Sequence, residues 1–125
     1  QTVKFLKIDT DGFDFRIILH NRPLIKKVRP HLYFEYDVMF GERDKNDSLK
    51  VVTFLVSMGY CFVLYDNCGN LMGLLETNAI KAFGNLNHYL ISSRKNGGGV
   101  CYVDVFATID KKIARKIVRK DRDAT

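Results

Sequence analysis

A short apolar stretch that stops abruptly at a group of acids constrains this chain more than anything else in it. Phe5-Leu6-Lys7-Ile8 runs straight into Asp9-Thr10-Asp11-Gly12-Phe13-Asp14, a D-x-D-G-x-D turn. Residues 2–8 are rich in β-branched and aromatic side chains and predict a strand in a largely buried, pleated position. Gly12 permits the tight turn that must follow, and residues 13–19 then open a helical pattern. Strand, acidic turn and helix make half of a βαβ unit. Open α/β sheets bind ligands where their strands deliver carboxyl ends, so Asp9, Asp11 and Asp14 are candidate site residues.

The remaining segments repeat that alternation. Asn21-Arg22-Pro23 interrupts the first helix, because proline cannot continue a helix interior, and Pro23 opens a second short helix over residues 24–28. Pro30 ends it and pushes Arg29 toward extended backbone. Residues 31–36 predict a second strand carrying another acid, Glu35. Residues 37–47 read as irregular, with Asn46, Asp47 or Ser48 capping a helix whose apolar stripe is Val51, Phe54, Leu55 and Met58. Gly59 suits the position just past its end. Residues 61–65 predict a third strand, 66–70 a turn, and 71–75 a returning hairpin arm. Residues 79–94 form a helix with Ile80, Phe83, Leu86, Leu90 and Ile91 on one side, interrupted by Gly84. Residues 100–107 predict a strong strand, and Thr108 or Asp110 starts a last helix with Ile109, Ile113 and Ile117 in register. One α/β domain over residues 1–125, with a layered sheet, is the expected class.

Composition narrows the classes further. No apolar run approaches the roughly 20 residues a membrane span needs, and no signal peptide is visible after Gln1. The net charge of +6 is local: Lys111, Lys112, Arg115, Lys116, Arg119, Lys120 and Arg122 crowd the end of the chain. Such a run is a solvated helix face or a footprint for a polyanion, and the first reading is favoured over nucleic acid. The three cysteines, Cys61, Cys68 and Cys101, lack C-x-x-C spacing, which excludes a disulfide framework and a zinc site. Cys61 and Cys101 fall in predicted strands as buried small hydrophobes, and a cytoplasmic setting is expected.

Lys7-Ile8-Asp9-Thr10-Asp11-Gly12-Phe13-Asp14 resembles the K-I-D-x-E-G-x-E signature of the FkbM-type methyltransferase family, with Asp11 and Asp14 where that family has glutamate. Arg29-Pro30-His31-Leu32-Tyr33-Phe34-Glu35 is similar to its R-P-x-x-x-x-E strand, and Ser57-Met58-Gly59-Tyr60 to its L-G-Y helix exit. The similarity covers residues 2–75, with a weaker echo in residues 103–108. It implies a Rossmann-like, seven-stranded class I methyltransferase sheet, of which this chain supplies the C-terminal half. The strands at residues 2, 31, 61 and 100 would be the fourth to seventh, the seventh antiparallel and lying between the fifth and sixth. It also implies S-adenosylmethionine as cofactor, and transfer of a methyl group to a hydroxyl of a sugar, polyketide or similar small molecule.

The donor-binding half of such an enzyme carries a glycine-rich turn after its first strand, and nothing here matches it. Gly97-Gly98-Gly99 follows a predicted helix and precedes a strand, the reverse of a dinucleotide site, and reads as a connector. This chain alone is therefore expected to be inactive. Its first strand, left without a neighbour on one side, is expected to form a homodimer through residues 2–8 or to be covered in some other way.

Clustered carboxylates raise one another's pKa or need a cation between them. Three roles are open for Asp9, Asp11, Asp14 and Glu35: a general base on the acceptor hydroxyl, oxygen ligation of Mg²⁺ or Ca²⁺, or capping of the following helix. The resemblance places Asp9 at the active-site cleft; Asp9 and Glu35 are read as catalytic and Asp11 and Asp14 as supporting acids that bind the cofactor, with no metal assigned. An EF-hand is excluded, since counting from Asp9 puts Phe13, Asp14 and His20 at positions 5, 6 and 12. His20, His31 and His88 have no metal-binding spacing. The alternative is a non-enzymatic binding or self-association module whose basic C-terminal helix contacts nucleic acid or another polyanion.

Overall fold

The computed structural model describes residues 4–39 and 41–124. Its elements run β1 (Phe5–Lys7), α1 (Asp14–His20), α2 (Arg22–Val28), β2 (His31–Tyr36), α3 (Glu42–Ser57), β3 (Cys61–Asp66), β4 (Leu71–Leu75), α4 (Ala79–Lys95), β5 (Val103–Thr108) and α5 (Lys111–Ala124). The five strands form one mixed sheet in the order β1-β2-β5-β3-β4. β1 and β2 are parallel, and β5 runs antiparallel to both β2 and β3, between them. The last strand is thus antiparallel and internal, as the resemblance implied. β3 and β4 form the expected hairpin.

Alternation along the strands separates two apolar clusters. Leu32, Phe34 and Tyr36 of β2 are fully buried on one face, with Phe62 of β3 and Val103, Val105 and Ala107 of β5, against α1, α3 and α4. Phe15, Tyr36, Phe83 and Phe62 form a chain of ring contacts with centroids 4.8–5.2 Å apart. The Tyr36 hydroxyl donates to Asn87, and Asn87 Nδ2 to Ser48 Oγ, so the polar groups in this layer are paired. On the other face, Cys61, Val63 and Phe106 pack with Ala114 and Val118 of α5.

Several boundaries differ from the sequence reading. Thr2 and Val3 lie outside the described residues. β1, at the edge of the described sheet, is not largely buried: Phe5 is 59% exposed and only Leu6 is partly covered. Arg29 is not extended but left-handed (φ 52°), with its N–H still bonded to Ile25 O at 2.8 Å, so the turn out of α2 overrides the preference set by Pro30. α3 begins at Glu42, within the stretch read as irregular. Asp44 and Ser48 of its first turns point inward and are buried, so tertiary contact holds a segment that its polarity disguised. At its other end, Gly59 (φ 89°) donates to Val56 O and Tyr60 to Leu55 O, the expected glycine stop. β5 starts only at Val103, so Cys101 precedes the strand and is half-buried; Cys61 alone is a buried small hydrophobe. In α4, Ile80 is exposed. In α5, Ala114 and Val118 are buried with Ile113 and Ile117 beside them, while Ile109 lies before the helix and is exposed. Asp110 accepts the N–H groups of Lys112 and Ile113, capping α5.

Candidate active site

Parallel pairing of β1 with β2 sets both carboxyl ends at one rim of the sheet. β1 leaves the ladder after Ile8, whose N–H donates to Tyr33 O at 2.8 Å. The next β2 donor on that side, Glu35 N–H, is taken by Asp14 Oδ2 at 2.9 Å. Asp14 Oδ1 accepts the Thr10 N–H at 3.1 Å and the Thr10 hydroxyl. Asp14 is buried and ties the turn, the start of α1 and the end of β2 together. No side chain caps α1, so capping, one of the three roles left open for the acids, is replaced at Asp14 by this cross-link. Asp11 adopts φ 51° and stands exposed on the turn beside Gly12.

Glu35 projects from the face of β2 opposite the Phe34 layer and is half-buried. It sits directly across from Asp104 of β5. Burial pushes the Glu35 carboxyl up to about 7, and the charges of Asp37, Asp14, Asp104 and Asp11 push the same way. Asp37 and Asp104 are also raised, chiefly by burial. Arg94 moderates the first, and a hydrogen bond from Tyr33 moderates the second. Asp9 is exposed two residues past β1, and its charge adds to the rise of Asp104.

A cleft of about 360 Å³ opens at this rim, lined by Asp11, Gly12, Glu35, Asp37, Asp44, Met39, Arg94, Cys101 and Tyr102. Asp11 and Glu35 therefore share one cavity, Asp14 braces it from behind, and Asp9 stands outside its lining. Arg94 was not singled out from sequence. It reaches from the end of α4 to Asp37 Oδ1 at 3.0 Å and to Cys101 O at 3.2 Å, closing one wall. Its only sequence signal is a basic residue in the last turn of a helix. Asp37 and Asp104 were also missed. The first lies two residues beyond Glu35, and the second faces it only through a register that the sequence does not reveal. Among the described residues, no group of three or more His, Cys, Asp or Glu side chains is placed to hold a metal ion.

Residues 1–62 match the family model of the methyltransferase FkbM domain. Over that stretch the chain is FkbM-like. The match takes in both strands that carry the acids and ends in β3, short of residue 75, leaving β4 to α5 outside it. No curated protein and no solved structure matches the chain. The FkbM match relates the chain to methyltransferases, and enzymes of this kind use S-adenosylmethionine. The acids of the cleft suit the positive charges of that donor. The β1–α1 turn, with one glycine among three acids, is not a glycine-rich cradle for its nucleoside. No helix among the described residues is long and apolar enough to cross a membrane.

Proposed function

We propose that this chain forms the acceptor side of a methyltransferase dependent on S-adenosylmethionine, one that methylates a hydroxyl oxygen of a small molecule. The observation that carries the reading is the cleft at the ends of β1 and β2, where Glu35 faces the cavity beside Asp11 and Asp37. A carboxyl poised near 7 is matched to accepting a hydroxyl proton at neutral pH as the oxygen attacks. Asp11 and Asp37 give the site the negative potential that attracts a cationic donor. Asp9 contributes to the same potential from outside the cavity. Asp14 acts by holding the turn. The donor's nucleoside falls to a further glycine-rich half of a larger, seven-stranded sheet, to which this chain contributes β1, β2, β3 and β5, with β4 added at the edge as a hairpin arm.

The open edge of β1 fits this reading. His31 donates to Lys4 O and Ile8 to Tyr33 O, so alternate groups face β2 and the N–H groups of Phe5 and Lys7 face outward. In a larger sheet another strand takes them. In this chain alone a second copy does so, forming a homodimer. Centred on Leu6, an antiparallel pair sets Phe5 opposite the partner's Lys7 rather than lysine opposite lysine.

The test is methyl transfer from labelled donor by the chain expressed with whatever its reading frame places before Gln1. Glu35→Gln is expected to lower kcat by about 10²-fold. Asp9→Ala is expected to raise KM for the donor with a smaller effect on kcat. An unchanged rate in Glu35→Gln ends the assignment of Glu35 as base.

A further inference from the structure

Charge changes sign along α1. Asp14, at its start, belongs to the acidic rim. Six residues on, about 9 Å along the axis, the helix ends at a basic concavity lined by Arg16, Leu19, His20, Arg22, Arg43 and Asp47, with a volume of about 350 Å³. Three elements supply the lining: α1 gives Arg16 and His20, α2 gives Arg22, and α3 gives Arg43. We propose that this concavity binds the phosphate of a phosphate-bearing ligand.

The cations are held in place. Arg22 Nε donates to Leu19 O at 3.0 Å, Arg16 lies 3.8 Å from Asp47, and Arg43 donates to Asp44 at 3.3 Å. A guanidinium carries five donors, so bonds of this kind orient the groups of Arg16 and Arg22 while leaving each with N–H groups for a second acceptor. Arg16, Arg22 and Arg43 outnumber the carboxylates beside them, Asp47 and the Asp44 that pairs with Arg43, a balance that favours an anion, and planar guanidinium groups match phosphate oxygens in pairs.

Arg22 also borders a second, longer groove of about 630 Å³. Its floor is one stripe of α3, where Leu49, Thr53 and Phe54 are flanked by Lys50. An anion held at Arg22 would lay its organic body along that mixed apolar and polar stripe. The ligand class is therefore an organic phosphate ester rather than bare phosphate. Its source is a free metabolite or a lipid headgroup.

Calorimetric titration at low salt with inorganic phosphate and with phenyl phosphate tests the site. Phenyl phosphate is expected to bind at least several-fold more tightly, because its ring can lie against the groove beyond Arg22 while its phosphate meets the arginines. Arg22→Ala is expected to weaken it tenfold or more, and Asp47→Asn to strengthen it about threefold by removing the competing acid. Lys116→Ala combined with Lys120→Ala, on the exposed face of α5, is expected to leave it unchanged. Binding unaltered by Arg22→Ala, or lost in the α5 variant, overturns the proposal. Co-sedimentation with vesicles containing phosphatidic acid separates the sources. Retention that depends on Arg22 supports the site with a headgroup as ligand, and retention independent of Arg22 counts against it. Weak vesicle binding alongside tight phenyl phosphate binding supports it with a free ester.

Discussion

The β3 side and the β1 side of the sheet are finished differently. Around β3, α3 and α4 cover one face and α5 the other, and Cys61, Phe62 and Val63 are fully buried. Among the described residues, helices cover only one face around β1 and β2. On the other, Phe5 stacks on Phe106 with rings 6.4 Å apart yet stays mostly exposed, Lys7 lies 6.0 Å from the Tyr33 ring, and Glu35 meets Asp104 at the rim. Stability is concentrated where the layers are complete, and the raised carboxyls gather where they are not. A site needs access, and here access comes from a layer left open rather than from a hole in a closed core.

Four measurements sharpen or break that contrast. The largest effect is expected from paired truncations followed by urea unfolding. Phe34→Ala, on the covered face of β2, should cost about 3–5 kcal/mol through the cavity it leaves. Phe5→Ala, on the open face, should cost about 0.5 kcal/mol. Equal losses would show that the open face is buried in solution.

Next is Asp14→Ala. It strips the acceptor from the N–H groups of Thr10 and Glu35 and should cost about 2–3 kcal/mol. Loss of amide protection at Glu35 in hydrogen exchange would locate the damage.

Glu35→Gln should have a smaller effect that depends on pH. The folded carboxyl sits near 7 against an ordinary 4.5, so the folded state binds the extra proton. The native protein therefore loses stability as pH rises from about 4.5 to 7. The variant escapes this loss. It should match the native protein at pH 4 and exceed it at pH 8 by about 1 kcal/mol, a figure reduced for the solvent reaching the rim. A variant less stable at pH 8 would reverse the sign and the argument with it.

Least costly to the fold is Lys7→Pro, which removes an outward N–H without touching the β1–β2 ladder. It should leave the unfolding midpoint nearly unchanged and shift light scattering from dimer to monomer. A protein monomeric before the change removes the second-copy pairing.

Much of this arrangement was legible in the residues, because strands and turns announce themselves locally. The alternation in residues 31–36, the turn at 66–70 and the glycine at 59 each encode their structure within a few positions. The start of α3 was not legible, since Ser48 finds its partner in Asn87 of α4, 39 positions away, and the burial of Asp44 has no local signature. Nor was the role of Asp14. Its sequence neighbourhood suggests a cap or a ligand, and only the N–H of Glu35, 21 positions away, turns it into a brace. The cleft was half visible. Asp11 and Glu35 carry family signatures, whereas Arg94 enters through a contact spanning 57 positions.

The place of β5 has a consequence for how this protein comes to exist. Among the described residues, β2 and β3 share no ladder of their own and are joined only through β5, a strand made after both. During synthesis, the parallel pair and the hairpin must wait as separate pieces with their apolar flanks in water until residue 108 has emerged. Pairing across such sequence distances is slow, and waiting edges invite wrong partners. A transcript cut between Leu75 and Val103 should yield not a smaller sheet but two unjoined ones, prey to proteases and chaperones alike.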